Sequence, residues 1–193
     1  MSGSLPLSNP PRGIILIGMR GVGKSTVGSL LARRLKTQFF DLDDLVLQHL
    51  GAASVRRVFE EQGEAAWRAG ELAALQRFFD SSAQHPRTDT CPPRTVLAVG
   101  GGAPANPACC DILQKARRDG WRIVHLTAPI QVLVDRLTAN LGDRTALTRL
   151  PLADELAALA AARASLYSAL CDGVVDGSGN PEAVAASIAT AAS

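Results

Sequence analysis

Apolar residues along this chain fall into two alternating patterns. Gly13–Ile17 (G-I-I-L-I) and Thr95–Val99 (T-V-L-A-V) are short, nearly unbroken apolar runs, as expected of strands buried on both faces, and Arg122–Leu126 reads as another strand. Phe39–Phe40 and Val174–Val175 are briefer runs of the same kind. Between them the period lengthens to that of a helix. Ser25–Leu35 carries Val27, Leu30, Leu31 and Leu35 at helical spacing. Further helices are predicted over Asp44–Leu50, Val55–Glu61, Glu64–Phe79, Pro151–Leu170 and Pro181–Ala191. Asn106-Pro107 is a cap followed by a first-turn proline and opens a helix to about Arg118, and Thr127 and Pro129 open another to about Leu137. Ser81–Thr95 reads as a surface loop, and Thr138–Arg149 as polar and irregular.

Strands that alternate with helices predict an α/β fold: a three-layer arrangement with a short central parallel sheet of about five strands flanked by helices. The expected organisation is one domain over residues 13–193 behind a loose lead-in over residues 1–12. In such sheets ligands bind at the carboxyl ends of the strands, so chemistry is sought just after each apolar run.

Composition narrows the class. Hydrophobic residues make up 47% of the chain and aromatics 4%, so the core must be built from Leu, Val, Ile and Ala. No apolar run is long enough to span a bilayer, and a net charge of +2 gives no reason to expect nucleic acid as a partner. The four cysteines lack C-x-x-C spacing and the three histidines are scattered, which argues against a zinc site or a disulfide framework. Reduced thiols, a cytoplasmic location and a monomer are the expectations. Arginine outnumbers lysine 17 to three; its planar fork suits carboxylates and phosphates, although codon bias produces the same excess.

Directly after the first strand, Gly18-Met19-Arg20-Gly21-Val22-Gly23-Lys24-Ser25-Thr26 satisfies G-x-x-x-x-G-K-[ST], and a helix follows. Its glycines let backbone N–H groups turn inward onto phosphate oxygens, helped by the positive end of the helix. Gly21, Val22, Gly23, Lys24, Ser25 and Thr26 are therefore expected to bind ATP, with Lys24 neutralising the β- and γ-phosphates and Ser25 ligating Mg²⁺. None of the three lysines lies in the [NT]-K-x-D that reads guanine, and the chain is short for a motor or AAA-type ATPase. A compact kinase remains. Asp41 and Asp43, just past the second strand, offer one carboxylate for the metal and one for an acceptor hydroxyl; read more plainly, they cap the next helix. Trp67-Arg68, Gly100-Gly101-Gly102 and Arg163-Ala164-Ser165-Leu166-Tyr167 complete the series, each ambiguous by itself.

The order and spacing of these motifs resemble the shikimate kinases, from about Ile14 to Ala191. That family shows a P-loop, D-x-D, [FW]-R, G-G-G, a mobile lid with R-P, and R-x-P-x-Y. The resemblance implies an ATP- and Mg²⁺-dependent transfer to the 3-hydroxyl of shikimate, in aromatic amino acid (chorismate) biosynthesis. It assigns Lys24, Asp43 and Arg144 to catalysis, with Asp43 the candidate base. It assigns Arg68, Arg163 and the backbone of Gly100, Gly101 and Gly102 to the acceptor, Asp41 with Ser25 to the metal, and Arg136 to the adenine, whose other wall would be Asp176–Pro181. Arg144 would close over the phosphates from a lid at about 140–150. Two positions depart from the pattern: Thr145 and Ser165 stand where the family usually has proline. A gluconate-type kinase should lack the combined D-x-D, W-R and G-G-G set. A binding protein descended from the family should have lost Asp43, Arg68 or Arg163.

Overall fold

Ile14–Ile17, wholly buried, is the middle strand (β1) of a five-stranded parallel sheet. The protein is described by a computed structural model, which covers residues 11–82, 95–139 and 151–192. The remaining strands are Gln38–Asp41 (β2), Thr95–Ala98 (β3), Arg122–Thr127 (β4) and Gly173–Asp176 (β5), in the order β2-β3-β1-β4-β5. Ile15 faces Leu97 on one side and Ile123 on the other, so the apolar runs of the sequence lie side by side at the centre.

The helices are Lys24–Leu35 (α1), Leu42–Leu50 (α2), Val55–Glu61 (α3), Gly63–Ser82 (α4), Pro107–Arg118 (α5), Ile130–Ala139 (α6), Leu152–Leu170 (α7) and Pro181–Ala192 (α8). They cover the sheet with Leu31, Val46, Leu75, Leu113, Leu156 and Ile188, an aliphatic core as the composition requires. The few aromatics gather rather than scatter. Phe78 and Phe79 meet Trp121 edge-on at centroid distances of 5.8 and 5.2 Å, and Phe78 also meets Phe40.

Two local details differ from the expectation. α2 starts at Leu42 rather than Asp44, because the Asp41 side chain accepts from the Asp43 N–H at 3.1 Å and closes the first turn early. A 3₁₀ turn over Ala103–Ala105 links the glycine triplet to Asn106, which caps α5. α7 runs unbroken through Ser165, as the helix predicted over Pro151–Leu170 requires. The predicted lid at 140–150, with Arg144 and Thr145, lies outside the described residues, as does most of the Ser81–Thr95 loop.

Candidate active site

A cleft of about 470 Å³ opens at the carboxyl ends of β1, β2 and β3, and every predicted site residue except Arg144 lines it. Residues spread from Gly21 to Arg163 in sequence meet there because the parallel sheet brings its strand ends to one edge.

One end of the cleft is the loop between β1 and α1. Gly21 has φ +80° and lies against Leu137, so that any side chain would be both strained and too close, at 2.9 Å from Leu137 Cγ. Gly23, at φ +102°, starts α1 with no side-chain cap, leaving the positive end of the helix to the loop. Lys24 Nζ donates to the carbonyls of Gly18 (2.9 Å) and Met19 (3.0 Å), which curls its ammonium across the loop. Ser25 Oγ donates to Asp41 Oδ2 at 2.5 Å. Arg136 spans two segments: Nη1 donates to the Val22 carbonyl and Nη2 to the Ser178 carbonyl, both at 3.0 Å. It thereby ties the loop to the turn after β5, where Gly177 and Pro181 also reach the cleft.

The other end is organised by the glycine triplet. A Cβ on Gly100 would stand 2.9 Å from Asp43 Oδ1 and 2.8 Å from Glu71 Oε1. One on Gly101 would stand 3.0 Å from the Gly18 carbonyl, and one on Gly102 would lie 2.7 Å from both Cζ and Nη2 of Arg68. The triplet therefore makes room first for the protein's own groups, the aspartate, the arginine and the phosphate loop.

Arg68 is held by two carboxylates on its own helix. Nη1 donates to Glu71 at 2.8 Å, while Nε and Nη2 donate to Glu64 at 3.1 and 2.8 Å. Glu64 is exposed; Glu71 is 1% exposed. Burial pushes the Glu71 carboxyl above its ordinary range, against the pull of the Arg68 charge. From α7, Arg163 lines the cleft, and one turn later Tyr167 Oη donates to the Gly101 carbonyl at 2.6 Å. The Tyr167 ring packs on His125 at 4.7 Å. Burial, then the charge of Lys24, lowers the His125 pKa.

Sequence reasoning assigned no role to Arg20, Glu71 or Glu155. Arg20, inside the phosphate loop, forms an ion pair with Glu155, which is buried in the first turn of α7. Glu71 had a faint signal, a carboxylate three residues after Arg68 on a helix otherwise rich in Ala and Leu. Glu155 had none, since its partner lies 135 residues away.

The sequence model of the shikimate kinase family matches residues 20–193. "Shikimate kinase 2" of Serratia proteamaculans (strain 568) is 35% identical over 180 residues, covering 92% of this chain and 94% of that protein. Among solved structures, shikimate kinase from Acinetobacter baumannii in complex with shikimate superposes with a TM-score of 0.75 at 26% identity, covering 94% of this chain and 91% of that one. Shikimate kinase from Aquifex aeolicus gives a TM-score of 0.68 at 31% identity, over 91% of this chain and 92% of that one.

Proposed function

Because the chain belongs to the shikimate kinase family, we propose that it transfers the γ-phosphate of ATP to the 3-hydroxyl of shikimate, giving ADP and shikimate 3-phosphate. The observation that carries the proposal is the joint placement of Asp43, Arg68 and Gly100–Gly102 in one cleft with Lys24 and Ser25. A phosphate cradle alone would fit many kinases. A carboxylate and arginines facing it describe an acceptor that has both a hydroxyl and a negative charge.

Gly21–Thr26 would hold the ATP phosphates, with Lys24 swinging from the Gly18 and Met19 carbonyls onto the β- and γ-phosphates. Arg136 and the 176–181 turn would flank the adenine. Ser25 and Asp41 are hard oxygen donors already in contact, which suits Mg²⁺. Among the described residues no group of three His, Cys, Asp or Glu side chains is placed to hold a metal ion, so phosphate oxygens and water would complete the coordination. When bound, Mg²⁺ would neutralise charge on the phosphates.

Arg68 and Arg163 would grip the acceptor carboxylate, and the Gly100–Gly102 backbone would fix its ring. Asp43 would orient the hydroxyl and accept its proton as the oxygen–phosphorus bond forms and the bond from γ-phosphorus to ADP breaks. The transition state is loose, so positioning and charge neutralisation provide most of the rate. Arg144 would add its charge to the transferring phosphoryl group.

No helix among the described residues is long and apolar enough to cross a membrane, and Cys109, Cys110 and Cys171 form no disulfide. Free thiols suit a reducing compartment such as the cytoplasm, and a single-domain monomer is part of the same proposal. ADP release from Mg-ATP, measured with shikimate, quinate, gluconate and nucleoside monophosphates, tests the acceptor. Stimulation by shikimate is the expected result; stimulation by gluconate instead would overturn the acceptor assignment.

A further inference from the structure

We infer that Tyr167 is a positioning residue for the acceptor, its phenol locking the glycine turn to the helix that carries Arg163. The inference rests on the acceptor pocket proposed above and adds a residue to it. Arg163 and Tyr167 are one turn apart on α7 and share a face. Tyr167 is 2% exposed, and its hydroxyl donates to the Gly101 carbonyl at 2.6 Å. A peptide unit is planar and trans, so fixing the Gly101 carbonyl also fixes the direction of the Gly102 N–H on its opposite side. That N–H belongs to the backbone surface assigned to the acceptor.

The neighbours make this bond consequential. Gly101 abuts the phosphate loop at the Gly18 carbonyl and the Arg20 N–H, and Gly102 lies against the Arg68 guanidinium. A shift of the triplet would therefore move the acceptor turn relative to both Arg68 and the nucleotide loop. The other side of the phenol is bounded by the His125 ring. A buried tyrosine hydroxyl commonly needs some partner. Here the partners are the middle carbonyl of the acceptor turn and the Arg163 side chain, so their loss should be felt at acceptor binding before ATP binding.

The test is Tyr167→Phe in the full chain, with shikimate and ATP varied separately and Tm measured alongside. Losing the phenol's hydrogen bonds to the Gly101 carbonyl and the Arg163 side chain should raise KM for shikimate on the order of ten-fold, with kcat and KM for ATP changed less than about two-fold. A variant with unchanged KM for shikimate, whatever its Tm, would show that the phenol only satisfies itself and would overturn the inference. Absence of shikimate-dependent turnover in the parent enzyme would instead count against the acceptor assignment. Should Tyr167→Phe not fold, the parent chain supplies the readout, because Tyr167 is its one tyrosine. With 3-fluorotyrosine incorporated, its single ¹⁹F resonance should move on saturation with shikimate; a stationary resonance would refute the coupling.

Discussion

Ser25 and Asp41 are joined by a 2.5 Å hydrogen bond that links the first turn of α1 to the end of β2. Asp41 simultaneously caps α2 through the Asp43 N–H. The plain reading of this aspartate as a helix cap therefore holds, and its other oxygen is turned to the loop. Asp41→Asn separates the two roles, since asparagine caps as well as aspartate but lacks the charge. Stability should stay within about 1 kcal/mol, while the Mg²⁺ concentration needed for half-maximal activity rises several-fold. Thermal melts and a Mg²⁺ titration of turnover check both halves.

Lys24 sits on two loop carbonyls, ready to exchange them for phosphate oxygens. Lys24→Ala should lower kcat by on the order of 10²–10³, the loss seen when one preorganised donor to developing charge is removed. Steady-state ADP release at saturating ATP measures it, and near-normal turnover would remove Lys24 from the mechanism.

Arg68 presents a guanidinium fork steadied by Glu64 and Glu71. Lysine keeps the charge and loses the planar pair of donors. Arg68→Lys should raise KM for shikimate by about 10- to 100-fold, the range for one charge-assisted hydrogen bond, with KM for ATP nearly unchanged. Equal effects on both substrates would argue that Arg68 supports the fold rather than the acceptor.

Gly102 lies against that same fork, where a methyl group would come 2.7 Å from Arg68 Cζ. Gly102→Ala should displace the guanidinium and mimic Arg68→Lys in its kinetics. The clash is with the far end of a flexible side chain, so stability should change by less than about 1 kcal/mol. Wild-type kinetics in this variant would mean that the triplet tolerates bulk and serves only as a turn.

His125 packs on Tyr167, and burial together with the nearby Lys24 charge depresses its pKa below the ordinary 6.5. Unfolded chains take up a proton on this side chain as pH falls through 6.5, while the folded protein resists doing so until lower pH. The unfolded state then binds more protons, so stability falls as pH drops below about 6.5. His125→Gln should show a shallower loss of Tm between pH 7 and 5 than the parent. Parallel Tm–pH curves would place the acid sensitivity elsewhere.

Sheet and phosphate loop were legible because both are local signals. Ile14–Ile17 is apolar because it is buried on both faces, and Gly18–Thr26 has glycines where the backbone must curl. Asp43, Arg68 and Arg163 could be singled out by their order along the chain, but their meeting is a property of the sheet topology. The bond from Tyr167 to Gly101 spans 66 residues, and the Arg20–Glu155 pair spans 135. No spacing rule reaches so far. The glycine triplet suggested close approach of a ligand; the structure adds that Asp43, Glu71 and Arg68 already occupy that approach.

The most direct measurement is ³¹P NMR of the enzyme with Mg-ATP and shikimate. The γ-phosphate signal should be replaced by one phosphomonoester on the 3-hydroxyl, in equal amount to ADP. Release of the γ-phosphate as inorganic phosphate alone, or no change with shikimate present, would contradict the proposed transfer.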